Sequence, residues 1–132
     1  KRAYDPPSPE DGMRVFVDRL WPRGVTKESL ALDEWAKDVA PSTELRKAWH
    51  GDPLAHEPDR FAAFAASYRD ELAQDPARSA LAELAGRVKF AGRPLTLVFG
   101  AKDLAHNHVV VLRDALKKTK KIGLGRGVRR KD

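Results

Sequence analysis

Two short apolar runs that lie far apart along the chain constrain its fold most. Val15-Phe16-Val17 predicts a strand over residues 13–18, and the run Leu95–Phe99 predicts a second strand. The patterns between and after them fit helices at 27–39, 43–49, 58–74, 76–87 and 105–118. Apolar strands separated by helices favour a parallel sheet, because parallel strands need a long crossover and bury both faces. The sequence therefore predicts an α/β fold with a small, largely parallel sheet that helices cover.

The distribution of charge divides the chain into a near-neutral domain and a basic tail. The chain has 132 residues, the size of one compact domain, and a net charge of +6 at pH 7. Of its 25 basic and 19 acidic residues, 8 and 1 lie within 117–132, which leaves residues 1–116 with a net charge of −1. We therefore expect a single α/β domain over 1–116 and a basic, flexible tail over 117–132.

The sequence also excludes several classes of protein and of chemistry. No run approaches the roughly eighteen apolar residues of a membrane span, and no segment near the start is typical of a signal peptide. We therefore expect a cytoplasmic protein without a membrane partner. The chain has no cysteine, which rules out disulfides, thiolate nucleophiles and cysteine-rich zinc sites. Chemistry must come from His, carboxylates, Lys, Arg or hydroxyls, and no cofactor is predicted.

Candidate binding residues follow the two predicted strands. Parallel sheets place ligands beyond the carboxyl ends of their strands, which here are followed by residues 18–24 and 100–108. We expect Arg19, Arg23 and Lys102 to converge there, beside the start of the last helix. Free backbone N–H groups at a helix start favour an anion, and arginine donates in a planar, bidentate way. The pattern therefore predicts a pocket for a phosphate or a carboxylate.

Trp21, Ser42 and Arg46 are further candidates for this pocket. Trp21 can stack on a ring, so a nucleotide-like ligand is chemically reasonable. Ser42 and Arg46 can add a hydroxyl and a positive charge, although a serine at a helix start is first of all a cap. The structural alternative is that Arg19 pairs with an acid such as Asp18 and ties the loops together. Both interpretations stay open.

His106 and His108 are the candidate catalytic residues. Either can act as a general acid or base with Asp103 orienting it, because a histidine titrates near neutral pH. As metal ligands they are poorly spaced, since positions i and i+2 point about 200° apart on a helix, and no metal site is predicted. The alternative is that His106 or Asn107 caps the last helix and bonds to the backbone.

Several motifs together resemble the YeaO-like branch of the domain of unknown function 488 family. They are the run Arg14–Gly24, the run Asp33–Lys47 and the triplet His106-Asn107-His108, and the likeness covers about residues 1–116. The resemblance implies a small α/β fold with a motif-bearing pocket at the strand ends. Some wider relatives carry a cysteine near the last strand. This chain has none, so thiol chemistry cannot be carried over to it.

Two functions of different classes follow from these observations. The first is a pocket for an anionic or phosphate-bearing small molecule, in an enzyme if His106 or His108 transfers a proton. The second is a noncatalytic protein that binds nucleic acid nonspecifically through the basic tail, or that binds a protein partner. The sequence leaves the reaction and the oligomeric state open.

Overall fold

A computed structural model of the chain describes residues 1–55, 57–101 and 107–128, and from residue 120 onward it describes the backbone. The elements are β1 (Met13–Phe16), α1 (Lys27–Leu30), β2 (Glu34–Trp35), α2 (Thr43–His50), α3 (Pro58–Leu72), α4 (Ala77–Ala91), β3 (Leu95–Val98) and α5 (His108–Val128). Two short 3-10 helices, Pro9–Asp11 and Lys37–Val39, lie between them.

The sheet has three strands in the order β2-β1-β3, and both pairings are parallel. Val15 in the central strand lies opposite Glu34 on one side and Leu97 on the other. All residues of β1 are buried, as expected for a parallel strand whose two faces are covered. Beyond β3, Arg2 adds a parallel bridge to Phe99. The predicted α/β fold with a largely parallel sheet is confirmed.

The sheet separates a large core from a small one. Val15 and Val17 face the large core, which α3, α4 and α5 build with it. Phe16 points to the opposite face, as the period of two in a strand requires, and packs there with Leu30 and Val98. The fully buried helix residues of the large core include Tyr68, Leu84 and Leu112. Both layers therefore enclose the carboxyl end of β1, and the chain first becomes partly exposed at Asp18.

The segment 27–39 is the main departure from the predicted elements. The helix predicted there is wrong after its first turn, because α1 ends at Leu30 and β2 follows at Glu34–Trp35. The Asp33 backbone N–H donates to the Arg14 carbonyl at 2.9 Å, which brings this segment alongside β1. Pairing with a central strand satisfies backbone groups that a helix would satisfy locally, so tertiary context overrides the helical spacing of the apolar residues.

The remaining helices lie close to their predicted positions, except that α5 is longer. It begins at His108 and its backbone stays helical to Val128, beyond the predicted end at residue 118. Residues 129–132 lie outside the described part of the chain. The division into a domain over 1–116 and a tail over 117–132 stays a prediction. Within the described residues, no helix has the length and apolar character that crossing a membrane requires.

Candidate functional site

A cavity of about 670 Å³ opens at the carboxyl ends of β1 and β3. Its wall is formed by the loop after β1, the helix α2, the residues after β3 and the start of α5. The charged, histidine and aromatic side chains of the lining are Asp18, Arg19, Trp21, Arg46, Trp49, His50, Asp52, Phe64 and His108. This is the location at which ligands bind in parallel α/β sheets.

Asp18 joins three elements at the floor of the cavity. Its Oδ2 accepts a hydrogen bond from the Gly100 N–H at 2.9 Å, and its Oδ1 lies 3.2 Å from His108 Nε2. A Cβ atom on residue 100 would lie 3.2 Å from the same carboxylate, so glycine allows this close approach. Sequence reasoning gave Asp18 only an ion-pairing role. Its place two residues after β1 was the signal that could have assigned it to the site.

His108 is held by the backbone of the residue after β1. Its Nε2 lies 3.0 Å from the Val17 carbonyl oxygen, which can only accept, so Nε2 carries the proton. The remaining ring nitrogen, Nδ1, is then the one able to take up a proton. The ring also meets Tyr68 edge-on, with centroids 6.0 Å apart. The other two catalytic candidates, Asp103 and His106, lie outside the described residues.

Arg19 lines the cavity but uses its guanidinium to hold the chain before α2. Its Nε donates to the Pro41 carbonyl at 3.0 Å and its Nη2 donates to the Ala40 carbonyl at 3.1 Å. Arg19 therefore ties two loops together through carbonyl groups, where sequence reasoning offered an acid as the alternative partner. Arg23 is exposed and is not among the described residues that line the cavity. Lys102, the third predicted cation, lies outside the described residues.

Arg46 is the second arginine among the described residues that line the cavity. It lies on α2 one turn before Trp49 and His50, which line the same cavity. Its Nε is shielded from solvent, yet it has no hydrogen-bond acceptor within the described residues. Of the two acids in the described lining, Asp52 accepts from the Leu54 N–H, and Asp18 accepts from the Gly100 N–H through Oδ2. The Oδ1 of Asp18 is also shielded from solvent and has no hydrogen-bond donor within the described residues.

Ser42 is a helix cap and does not line the cavity in the described part of the chain. Its hydroxyl accepts from the Leu45 N–H at 3.1 Å and donates to Glu71 Oε2 at 2.5 Å. The Ser42 N–H donates to the other oxygen of the same carboxylate at 2.9 Å. The capping interpretation of Ser42 is therefore confirmed, and α2 is tied to α3 at its first turn.

Aromatic rings form much of the cavity wall. Trp21 donates its indole N–H to the Val25 carbonyl at 2.7 Å and packs edge-on against Trp35, with centroids 5.3 Å apart. Across the lining, Trp49 packs on Phe64 at a centroid distance of 4.6 Å. Each indole is therefore fixed by neighbours while it contributes to the lining, as a preformed binding wall requires.

The start of α5 supplies a helix cap. The side-chain oxygen of the buried Asn107 accepts from the Val109 N–H at 2.8 Å, which confirms the capping interpretation for this residue. Among the residues that the structure describes, no three His, Asp or Glu side chains are grouped so that they could hold a metal ion. Burial strongly raises the pKa of the Tyr68 hydroxyl, which donates to the Val39 carbonyl and is therefore a structural group.

Comparison with known proteins identifies one matching family model and several similar proteins. A family model described as the inactive DUF488-N3 subclade matches residues 1–122. The uncharacterised protein YeaO of Escherichia coli K12 is 48% identical over 118 residues, which cover 89% of this chain and 94% of that protein. An uncharacterised protein of Mycobacterium tuberculosis H37Rv is 40% identical over 115 residues, covering 87% of this chain and 89% of that protein. No solved structure matches the chain significantly.

Proposed function

The chain belongs to the DUF488 family, in the subclade described as inactive, and from that premise we propose that its cavity binds an anionic small molecule without transforming it. The observation that carries the proposal is Arg46. A guanidinium that lines a cavity, with a desolvated and unpartnered Nε, is a costly arrangement for the empty protein. An anion in the cavity supplies the missing acceptor once the Arg46 side chain turns its Nε toward the ligand, and this removes the cost.

The chemistry of the wall narrows the class of ligand. Arginine presents a planar fork of donors that matches a carboxylate or a phosphate. Trp21, Trp49 and Phe64 offer apolar surface beside it, which suits a flat or ring-bearing group. A volume of about 670 Å³ lies within the range of sites for small organic ligands. The ligand class that fits is a small organic anion with a ring.

The polar groups that the structure describes in and beside the cavity favour binding over catalysis. The Ser42 hydroxyl lies outside the described lining and is engaged with Glu71 and with the first turn of α2, so it is not placed as a nucleophile. The proton on His108 Nε2 faces the Val17 carbonyl, which leaves only Nδ1 for proton transfer. These hydrogen bonds agree with the description of the subclade as inactive. Proton transfer through His108 Nδ1 is the alternative. A chemical change in the bound ligand would support that alternative.

A thermal-shift series with defined probes tests the proposal. The probes are phenyl phosphate, inorganic phosphate, and benzyl alcohol as the uncharged ring. We expect phenyl phosphate to stabilise the protein by several degrees near saturation, because a ligand at 100 times its Kd adds about 2.7 kcal/mol. Inorganic phosphate should act more weakly, since it lacks the ring, and benzyl alcohol should have no effect.

Matched variants of α2 complete the test. Arg46→Gln should weaken phenyl phosphate binding about 10- to 100-fold, the cost of one charge-assisted hydrogen bond. Lys47→Gln removes an exposed charge from the next position of the same helix and should leave binding unchanged. Equal loss in both variants, or no loss in Arg46→Gln, would contradict the proposal.

A further inference from the structure

Asp18 Oδ1 is a polar atom of the cavity that has no hydrogen-bond partner in the described part of the chain. It is shielded from solvent, and no described donor reaches it. The other oxygen of the same carboxylate, Oδ2, accepts from the Gly100 N–H at 2.9 Å, so only half of the carboxylate is satisfied. A buried carboxylate oxygen without a donor is destabilising, because it has lost its hydrogen bonds to water.

The His108 ring lies beside this oxygen and does not donate a hydrogen bond to it. Its Nε2 is 3.2 Å from Asp18 Oδ1, but the proton on Nε2 is directed to the Val17 carbonyl, 3.0 Å away. The contact therefore leaves Oδ1 able to accept a hydrogen bond from another group. A donor carried by a ligand is such a group.

Asp18 Oδ1 and Arg46 Nε share both their isolation and their location. Among the described residues they are the two buried side-chain polar atoms that lack a hydrogen-bond partner, and both residues line the same cavity. One atom accepts and belongs to an acid, whereas the other donates and belongs to a base. Asp18 and Arg46 form no ion pair with each other in the described structure. A ligand that satisfies both must therefore offer a donor at one place and an acceptor at another.

We propose that the cavity binds a zwitterion with an aromatic ring, such as an aromatic amino acid, with its ammonium group on Asp18 and its carboxylate on Arg46. This inference rests on the proposed function, and it narrows the ligand from a ring-bearing anion to one that also carries a cationic donor. An ammonium group and a carboxylate form a charge-assisted hydrogen bond, which is about twice as strong as a neutral one. Trp21 follows Asp18 closely in sequence and Trp49 lies one turn after Arg46, so apolar lining accompanies each charge.

Both side chains have the freedom that such a ligand requires. The Asp18 side chain is 24% exposed and Arg46 is partly exposed, although the atoms Oδ1 and Nε are shielded in the empty protein. The terminal torsion of an aspartate is soft, so Oδ1 can tilt toward the cavity while Oδ2 keeps the Gly100 N–H. The long arginine side chain turns about several bonds to present its Nε.

Ligands of other kinds fit the lining less well. An anion without a donor satisfies Arg46 and leaves Asp18 Oδ1 buried without a partner. An amine without an acid satisfies Asp18 and leaves the Arg46 Nε in the same condition. A metal ion needs several protein ligands, and the described residues contain no group of three His, Asp or Glu side chains that could hold one.

Isothermal titration calorimetry of the native chain with three matched probes tests the proposal. L-Phenylalanine carries both charged groups, 3-phenylpropanoate lacks the ammonium group, and 2-phenylethylamine lacks the carboxylate. We expect L-phenylalanine to bind about 10- to 100-fold more tightly than either of the other two, the contribution of one charge-assisted hydrogen bond. The comparison uses the native chain alone, so it does not depend on the folding of a variant.

Asp18→Asn then locates the ammonium group. Asparagine can still accept from the Gly100 N–H through its side-chain oxygen, but it carries no charge. The variant should lose most of the preference for L-phenylalanine over 3-phenylpropanoate, and its affinity for 3-phenylpropanoate should change little. Arg46→Gln should weaken both ligands alike. Asp38→Asn, which alters an exposed carboxylate outside the described lining, should change neither affinity.

The outcomes separate this proposal from the proposed function. Equal affinity for L-phenylalanine and 3-phenylpropanoate, or a preference that Asp18→Asn retains, would contradict the zwitterion and leave the anion site in place. No binding of L-phenylalanine by a chain that phenyl phosphate stabilises would do the same. Tightest binding of 2-phenylethylamine, or no response to phenyl phosphate and to L-phenylalanine, would contradict both proposals.

Discussion

At the scale of single residues, two arginines of the cavity show how partners decide a role. Arg19 donates to the Pro41 and Ala40 carbonyls and so stabilises the connection before α2. Arg46 faces the same cavity with an Nε that has no acceptor among the described residues. The sequence predicted both as anion ligands, and only their contacts separate the structural cation from the one available to a ligand.

The contacts of the Asp11 carboxylate predict that the stability of the fold depends on pH. Hydrogen bonds from Lys1, from the Ser8 backbone and from Arg14 lower the pKa of this carboxylate to about 2. A carboxylate whose pKa is depressed in the folded state stabilises the fold above its ordinary pKa, and loses that contribution as the pH falls toward the folded value. The stabilisation by Asp11 should therefore be complete above about pH 5 and should disappear between about pH 4 and pH 2.

Urea unfolding of the native chain and of Asp11→Asn across this pH range measures the effect. The difference in free energy of unfolding between the two proteins should be constant near pH 7 and shrink below pH 4. Asp70→Asn, which alters an exposed carboxylate on α3, should give a small difference throughout. A gap between the native chain and Asp11→Asn that does not change with pH would contradict this role.

At the scale of elements, α2 carries Arg46, whose Nε has no acceptor among the described residues, while the helix has no buried residue of its own. It depends on its Ser42 cap, on the Glu71 carboxylate and on the packing of Trp49 against Phe64. A short helix held in this way opens readily if its cap is lost, because its own backbone hydrogen bonds are too few to stabilise it.

Replacing the cap should therefore loosen the site as well as the helix. Ser42→Ala should cost about 1 kcal/mol of stability and speed hydrogen exchange at the Arg46 and Gly51 amides, which bond to the Ser42 and Lys47 carbonyls. Hydrogen exchange followed by NMR measures both. Thr43→Ala changes the next, exposed position and should leave these rates nearly unchanged. Slow exchange retained in Ser42→Ala would show that packing alone holds α2.

Elements with a strong apolar pattern could be predicted from the sequence, and the one that depends on pairing could not. β1 and β3 are short apolar runs, and α3 repeats its buried residues at helical spacing, so local pattern suffices. β2 is a two-residue strand whose place is set by hydrogen bonds to β1, which no local pattern records. The helical spacing around it consequently predicted the wrong element.

At the scale of the whole molecule, parallel topology explains why a cavity could be predicted at all. The carboxyl ends of β1 and β3 meet at one edge of the sheet, so the residues that follow both strands line one cavity. The sequence alone does not show which residues line this cavity. Arg23 is exposed to solvent, whereas Arg46, which lies on α2 and is distant from both strands in sequence, faces the cavity. Asp18 follows β1 directly in sequence, and its contacts with Gly100 and His108 show the role that it has there.

The central claim is that the guanidinium of Arg46, whose Nε is desolvated, binds an anion, and the NMR signal of its Nε–H reports this directly. The signal is assigned by its absence in Arg46→Lys. Titration with phenyl phosphate should shift it and slow its exchange with water, since the ligand supplies the missing acceptor. The Arg19 Nε–H, already bonded to the Pro41 carbonyl, should stay in place. Saturation by phenyl phosphate with an unmoved Arg46 signal would contradict the account.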